Sequence, residues 1–270
     1  MQKIPKIIHY VWLGKGQKNE LFYKCLESWK KFCPDYEIKE WNEDNFDFSD
    51  CKYAMLAYKR KKYGFVSDYI RVRVLCEFGG VYFDTDTELT KPLDDLLSND
   101  FVIGFENKYQ CSTATIASAP NHELLKIMTN YYLKKEVDET KKLDITPNTV
   151  IITYFLKKYY NLKFNKKKQV LENSVNKNGK KVLVLPQEYF SPIIYTIRKL
   201  KRTENTYAIH YFNASWFTNS MKTREKFLKG VYYVFSPWVF DFFTKLWVQS
   251  AFRKIKKMDK ENNLSQFLTN

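Results

Sequence analysis

The stretch GGVYFDTDTEL, residues 79–89, joins a strand pattern to two carboxylates. Its apolar run at residues 81–83 ends in Asp84 and Asp86, which are one residue apart. On an extended segment such side chains point the same way. A buried charge needs a partner, and Mg²⁺ or Mn²⁺ commonly binds one or two carboxylates together with phosphate oxygens. The motif therefore indicates a cation site, and the alternative is a solvated turn after a strand.

The chain around this stretch alternates between strand and helix patterns. Apolar residues Ile70, Val74 and Phe78 recur every fourth position before the two glycines, which predicts a helix over residues 67–78. Further helices are predicted at 20–32 and 52–60, strands at 4–13 and 36–41, and a hairpin at 169–175 and 181–185. This order implies an α/β sandwich with a largely parallel sheet. Ligands of such sheets bind at the carboxyl ends of strands, where Asp84 and Asp86 lie.

The net charge and the cysteine content limit which partners and which kinds of site are expected. The chain has 270 residues and a formal net charge of +15, which favours an anionic partner. Its five cysteines form no CxxC pair, so neither a disulfide framework nor a zinc site is indicated and a reducing cytosol is expected. The N-terminus reads as a first strand and not as a signal peptide. No apolar run reaches about 18 residues, so no membrane span is expected.

Two charged residues of the helix before the motif form a second candidate group. Asp68 and Arg71 are separated by three positions and share one helix face. The helix leads directly into the Asp84 strand, so these side chains are candidates for holding sugar hydroxyls near the cation site. The alternative is a surface ion pair, which contributes little to stability.

Three further candidates lie outside this region. His210, in the stretch AIHYFNASW (residues 208–216), could bind a metal, although a single histidine is more often structural. Trp216 in the same stretch is more often a core residue. Trp12 ends the first predicted strand and could stack on a base or cover the core.

Taken together, three stretches resemble the DxD sugar transferases of glycosyltransferase family 32. They are IPKIIHYVWLG, SDYIRVRVLCEFGGVYFDTDTEL and IHYFNASW, in that order. The family includes the yeast Golgi initiating mannosyltransferase and bacterial capsule and lipopolysaccharide enzymes. The large clostridial glucosylating toxins share the Asp-x-x-Arg and Gly-Gly-x-Tyr-x-Asp-x-Asp arrangement. The resemblance covers residues 3–106 and, less closely, 182–217.

The resemblance implies a GT-A fold, a Rossmann-like nucleotide-sugar-binding sandwich with helical additions. It implies Mn²⁺ or Mg²⁺ as cofactor, with Asp86 as direct ligand, Asp84 supporting the metal and contacting ribose or donor sugar, and His210 near the metal. The donor-binding roles it implies are as follows: Asp68 and Arg71 on the donor-sugar hydroxyls, Tyr82 beside the nucleotide, Trp12 stacked on the base, and Ser215 and Trp216 at the diphosphate. The toxins place one residue between their serine and tryptophan, whereas Ser215 and Trp216 adjoin.

The function implied is that of a metal-dependent retaining glycosyltransferase. It would move a hexose from a nucleotide-sugar, with UDP as the expected nucleotide, to a surface glycan on a lipid diphosphate. Because no carboxylate has the spacing of a covalent nucleophile, front-face attack is expected. The alternatives are a toxin-like transferase acting on a protein and, in another class, a basic nucleic-acid-binding protein. Scattered lysines speak against a nucleic-acid partner, and that class does not explain Asp84 and Asp86.

The C-terminal part differs in composition from the rest. We expect a GT-A domain over residues 1–220 and a basic, aromatic helical extension over 221–270. Residues 231–257, VYYVFSPWVFDFFTKLWVQSAFRKIKK, combine aromatic rings with flanking cations. Such a segment suits an anionic membrane interface, and the alternative, that it packs as core, is left open. The expected location is cytoplasmic, with peripheral contact at the inner face of the plasma membrane.

Overall fold

The structure, a computed structural model, describes residues 2–195, 197–213 and 237–269. The strands are β1 (Ile7–Val11), β2 (Glu37–Trp41), β3 (Gly80–Phe83), β4 (Thr87–Leu89), β5 (Phe101–Asn107), β6 (Gln110–Ser118), β7 (Gln169–Leu171), β8 (Val182–Leu185), β9 (Ile193–Ile194), β10 (Lys199–Leu200) and β11 (Ala208–His210). The helices are α1 (Glu20–Phe32), α2 (Lys52–Lys59), α3 (Tyr63–Phe78), α4 (Glu123–Leu133), α5 (Asn148–Tyr159), α6 (Gln187–Phe190) and α7 (Pro237–Glu261). Short 3-10 turns lie at Asp94–Leu96 and Leu264–Leu268.

Seven strands form a central mixed sheet in the order β2-β1-β3-β6-β5-β8-β7. Strand β1 pairs in parallel with β2 and β3, and β5 pairs in parallel with β8. The three remaining pairs are antiparallel: β5–β6 and β7–β8 are hairpins, and β3 pairs with β6. The predicted α/β sandwich is thus confirmed, and the hairpins are what make its sheet mixed.

The sheet separates two apolar cores. One lies under α2, α3, α4 and α5, and the other lies under α1 and the loop after β4. Helix α1 begins and ends at the predicted residues, because Asn19 caps it by accepting from the Phe22 N–H (2.9 Å) and its Cys25 and Trp29 side chains are buried. Parallel strands buried on both faces explain the near-continuous apolar runs in the sequence.

The junction of α3 and β3 depends on two glycines. Gly79 and Gly80 have φ of +67° and +95°, a region that other residues rarely adopt. A Cβ on Gly80 would lie 2.6 Å from the Ile7 carbonyl oxygen, so β1 and β3 could not approach as closely. His9 Nε2 donates to the Gly79 carbonyl (2.8 Å), and His9 Nδ1 accepts from Trp41 Nε1 (3.1 Å). This corner fixes the direction of β3 and hence the place of the motif at its end.

The C-terminal helix α7 packs against α5. Val248 and Ile255 are buried, and the buried Asp259 carboxylate accepts from Tyr154 Oη (2.9 Å) and Lys158 Nζ (2.7 Å). Among the described residues, none of the helices has the length and apolar character needed to span a bilayer. The proposed boundary at residue 220 lies outside the described residues and stays a prediction.

Candidate metal and donor site

The two aspartates lie on the turn that follows β3. The Asp84 N–H donates to the Ala114 carbonyl (2.9 Å), which continues the β3–β6 pairing by one residue. The Asp84 carbonyl then accepts from the Thr87 N–H (3.0 Å), so the chain turns between β3 and β4. The carboxylates of Asp84 and Asp86 therefore project from one short turn at the end of a buried strand.

A long-range strand pairing brings His210 to this turn. Strand β11 pairs antiparallel with β4, and His210 stands opposite Thr87. Its Nε2 lies 3.3 Å from Asp86 Oδ1 and 4.0 Å from Asp84 Oδ2. One ligand atom from each of Asp84, Asp86 and His210 lies within 4.8 Å of the other two. Two carboxylates and an imidazole are a donor set that Mn²⁺ accepts, so the three residues fit the expected cation.

Backbone donors hold Asp86 in place. Its carbonyl accepts from the Tyr211 N–H (3.0 Å), and its Oδ2 accepts from the Asn213 N–H (2.7 Å). Oδ1 is left to face His210. The segment after β11 thus orients the Asp86 carboxylate, which is 15% exposed.

Charge, and not burial, sets the protonation of this group. Burial acts to lower the pKa of His210, but the Asp86, Asp84 and Glu106 carboxylates outweigh it and raise that pKa. Burial likewise acts to raise the pKa of Asp86, and His210 together with the Asn213 N–H lowers it. His210 Nδ1 is buried and has no hydrogen-bond partner among the described residues. Asp86 and His210 therefore form an ion pair, and a divalent cation that binds here would displace the imidazolium proton.

Arg71 links the aspartates to the α3 helix. Its Nη1 donates to the Thr113 carbonyl (2.6 Å), and its Nη2 donates to Asp84 Oδ1 (2.9 Å) and lies 3.3 Å from Asp68 Oδ1. The guanidinium carbon lies 4.5 Å from the centre of the Tyr82 ring. Arg71 is only 5% exposed, so the alternative of a surface ion pair with Asp68 does not hold.

Tyr82 supports this arrangement from within the core. It is 1% exposed, its hydroxyl donates to Asp84 Oδ1 (3.1 Å), and it shares a hydrogen bond with Ser67 Oγ (3.0 Å). The structure thus places Tyr82 beneath Asp84 and Arg71. Its predicted place beside the nucleotide stays a prediction.

Asp68 lies beside buried polar atoms that have unmet hydrogen-bonding capacity. Burial raises the pKa of Asp68 to about 6, and Asp84 adds to this while Arg71 opposes it. Asn148 at the start of α5 donates from Nδ2 to the Asp68 carbonyl (3.1 Å). Arg71 Nε and Asn148 Oδ1 are both buried without a hydrogen-bond partner among the described residues. Since buried polar atoms are rarely left so, these atoms suit the hydroxyls of a bound ligand.

Two residues of this region were not predicted from the sequence. Asn148 follows a proline at the start of α5, and no motif marks it as a site residue. Glu106 closes the apolar run of β5, the same signal that marked Asp84, but it lacks the neighbouring second acid. Burial raises the pKa of Glu106 to about 7, and Asp84 adds to the effect.

A separate cavity of about 530 Å³ opens at the carboxyl ends of β1 and β2. Trp12 borders it, together with Lys15, Lys18, Glu40 and Glu43. Trp12 Nε1 donates to the Gly16 carbonyl (2.8 Å), so the indole has a fixed orientation. The cavity leaves room for a base against Trp12. The stacking of a base on Trp12 stays a prediction. Ser215 and Trp216 lie outside the described residues.

The family comparison coincides with this region. Residues 19–102 match the family described as the glycosyltransferase sugar-binding region containing the DXD motif. The match spans α1 through β4 and includes Asp68, Arg71, Asp84 and Asp86, so the predicted resemblance to DXD sugar transferases is confirmed there.

Two curated relatives and three solved structures are similar to this chain. Inositol phosphoceramide mannosyltransferase 3 of Schizosaccharomyces pombe is 32% identical over 102 residues, covering 35% of this chain and 27% of the relative. Inositol phosphoceramide mannosyltransferase 1 of the same yeast is 27% identical over 137 residues, covering 46% and 41%. The chain thus spans less than half the length of these relatives.

The solved structures are distant. The PaToxG glycosyltransferase has 19% identity and a TM-score of 0.42, covering 58% of this chain and 70% of that one. A glycosyltransferase involved in the glycosylation of the major capsid of PBCV-1 has 11% identity and a TM-score of 0.42, covering 83% of this chain and 98% of that one. The galactosyltransferase LgtC has 16% identity and a TM-score of 0.34, covering 83% and 95%.

Proposed function

We propose that the protein is a metal-dependent retaining glycosyltransferase that transfers a hexose from a nucleotide-sugar, with UDP as the nucleotide. The observation that carries the proposal is the meeting of Asp84, Asp86 and His210, whose ligand atoms lie within 4.8 Å of one another. The first two belong to the matched DXD region, and His210 comes from a strand more than a hundred residues later.

Asp86, Asp84 and His210 would hold Mn²⁺ or Mg²⁺. Such a cation, when bound, neutralises charge on the leaving diphosphate. Arg71 keeps Asp84 oriented toward the turn, and the Asn213 and Tyr211 N–H groups keep Asp86 oriented. Ser215 and Trp216 would reach the same diphosphate from the segment that follows β11.

The donor sugar would lie over Asp68 and Arg71. Arg71 Nε can donate to a sugar oxygen, and Asn148 Oδ1 and the Asp68 carboxylate can accept from sugar hydroxyls. The nucleoside would extend to the Trp12 cavity.

Retention would follow from front-face attack. In that reaction the acceptor oxygen approaches from the side that the diphosphate leaves, and the leaving phosphate oxygen takes the acceptor proton. The protein would supply position and charge more than a covalent nucleophile.

The acceptor would be a surface glycan carried on a lipid diphosphate, as in capsule or lipopolysaccharide synthesis. The net charge of +15 supports an anionic acceptor, and the names of both yeast relatives specify a phosphorylated lipid. The protein would then work in the cytoplasm, at the inner face of the plasma membrane.

A panel of nucleotide-sugars tests the proposal. The purified chain is incubated with UDP-, GDP- and other nucleotide-linked hexoses, with Mn²⁺ or with a chelator, and both hydrolysis and the melting temperature are measured. We expect Mn²⁺-dependent hydrolysis of at least one UDP-hexose and a raised melting temperature with UDP plus Mn²⁺. Stabilisation by an oligonucleotide, with no response to any nucleotide-sugar, would overturn the proposal in favour of nucleic-acid binding.

A further inference from the structure

Helix α7 exposes large apolar side chains at its N-terminal end. Val248 and Ile255 on the opposite face are 3% and 0% exposed, so the helix has a definite buried side. The aromatic patch on the outer side consists of Phe242, Phe243, Leu246 and Trp247, which are 47%, 55%, 45% and 37% exposed. Large apolar residues clustered in this way on a surface mark a site of interaction.

The same outer face becomes basic toward the C-terminal end of α7. Residues Phe242, Leu246, Arg253, Lys257 and Lys260 follow one another at intervals of four, seven, four and three, and such intervals keep side chains on one helix face. Arg253, Lys257 and Lys260, which we call the basic turns, are exposed. One face therefore carries an aromatic end and a cationic end.

Contacts to the body of the protein fix this face outward. Asp241 pairs with Lys108 (3.3 Å), and Lys254 pairs with Asp144 (3.0 Å). Asp259 is held by Tyr154 and Lys158. Because these contacts hold α7 at both ends and in the middle, the orientation of its outer face is fixed in the described structure.

We propose that this face of α7 docks the protein on an anionic membrane surface. Tryptophan and phenylalanine suit the headgroup region, where an apolar ring and a polar environment meet, and lysine and arginine beside them attract anionic lipid headgroups. The acidic side chain near the basic turns, Glu261, lies 3.8 Å from Lys257 at the far end of the helix. The inference rests on the proposed function only in that a lipid-linked acceptor would be presented at such a surface.

The burial of Ile255 and Asp259 means that this surface cannot be tested by truncation. Removing the C-terminal segment would take away Val248, Ile255 and Asp259, which are buried against α5, and would expose core. Substitutions confined to exposed side chains separate docking from folding. The aromatic variant is F242S/F243S/L246S/W247S, and the basic variant is R253E/K257E/K260E.

Two matched controls are available in the chain. K166E/K167E/K168E makes the same change in net charge at an exposed lysine run away from α7. V170S/L200S removes exposed apolar side chains elsewhere, which are 62% and 47% exposed in the native chain. If net charge or general surface hydropathy caused binding, these controls would weaken it as much as the α7 variants.

The experiment is co-sedimentation of the full chain with phosphatidylcholine vesicles, with and without phosphatidylglycerol, at low and high salt. We expect binding only with phosphatidylglycerol, release by salt, and a loss of at least about 100-fold in the basic variant, since each of the three lost cations contributes about fivefold and the new carboxylates add repulsion. The aromatic variant should also lose binding, and both controls should keep it. Circular dichroism checks that each variant is folded.

Three outcomes would overturn the inference. The native chain could remain in the supernatant with phosphatidylglycerol at low salt, or the 166–168 control could weaken binding as much as the basic variant. In the third, light scattering shows that the aromatic patch joins two copies of the chain, with no vesicle binding. Hydrolysis of a soluble nucleotide-sugar is measured in parallel. If the native chain hydrolyses a nucleotide-sugar but does not bind the vesicles, the docking face alone is refuted, and if it binds the vesicles but hydrolyses no nucleotide-sugar, the proposed function alone is refuted.

Discussion

Strand β3 has a buried histidine at each end, and the two differ in every respect except burial. His9, at the glycine end, has neutral partners on both ring nitrogens, and burial lowers its pKa from 6.5 to about 4. His210, at the aspartate end, faces carboxylates that raise its pKa, and its Nδ1 has no partner among the described residues. A buried histidine with both nitrogens satisfied by neutral groups is structural. One whose ring nitrogen faces carboxylates, as His210 Nε2 faces Asp86 and Asp84, can join them in binding a cation.

The largest effect is expected from a substitution of Asp86, the aspartate that His210 faces. Asp86→Asn keeps the shape of the side chain but loses the charge of the proposed metal ligand. We expect turnover to fall by at least about 100-fold while the fold is kept. Removing a residue that only supports a metal ligand already costs up to about 100-fold, and removing a ligand should cost no less. Nucleotide-sugar hydrolysis and Mn²⁺ titration check this, with Asp138→Asn, an exposed loop residue, as control. Native-like turnover in Asp86→Asn with Mn²⁺ would end the metal hypothesis, and Asp84→Asn should be nearly as severe.

Two arginines of α3 allow a matched test of the donor pocket. Arg71 donates to Thr113 and Asp84, whereas Arg73, two positions later, pairs with the more exposed Asp50. Arg71→Lys keeps the charge but not the planar fork, so we expect turnover to fall by about 10- to 100-fold. Arg73→Lys should leave turnover close to native.

Steady-state kinetics with thermal melts separates a donor role from a structural one. A donor role predicts lower turnover of Arg71→Lys at temperatures where the protein remains folded. Equal kinetics for both variants, with a lower melting temperature for Arg71→Lys, would show that Arg71 only stabilises the fold.

Substitutions of the two histidines should have smaller effects, one on Mn²⁺ binding and the other on the melting temperature. His210→Ala should weaken Mn²⁺ binding by about tenfold, since water and phosphate oxygens can take its place beside two carboxylates. His9→Ala should lower the melting temperature and leave Mn²⁺ affinity unchanged, because it removes a buried ring without touching the turn. Calorimetric Mn²⁺ titration and thermal melts distinguish the two. If His9→Ala weakened Mn²⁺ binding and His210→Ala did not, the assignment of the two histidines would be reversed.

How far the sequence predicts this site depends on the range of the contacts. The α3 helix, its glycine end and the Asp84–Asp86 turn are local, so apolar spacing and glycines define them. The β4–β11 pairing that brings His210 to Asp86 joins residues 123 positions apart in the register Thr87–His210, and no local pattern specifies it. Resemblance to a family supplied that contact. The burial of Arg71 and the free atoms of Asn148 follow from how α3, β6 and α5 pack, which a single sequence does not reveal.

The pH dependence of stability tests whether His9 is held neutral in the folded protein. Because the pKa of His9 is lowered in the folded state, the unfolded chain binds a proton that the folded chain does not as pH falls from 6.5 to about 4. Stability should therefore fall over this window, by about 3 kcal/mol from His9. His122, a buried helix cap whose pKa burial lowers to about 3, acts in the same direction and continues below it. His9→Gln can still donate to the Gly79 carbonyl but cannot titrate, so urea unfolding of this variant should show a shallower pH dependence between 6.5 and 4 than the native chain. Equal slopes would mean that His9 is not held neutral, and the contrast between the two ends of β3 would then rest on geometry alone.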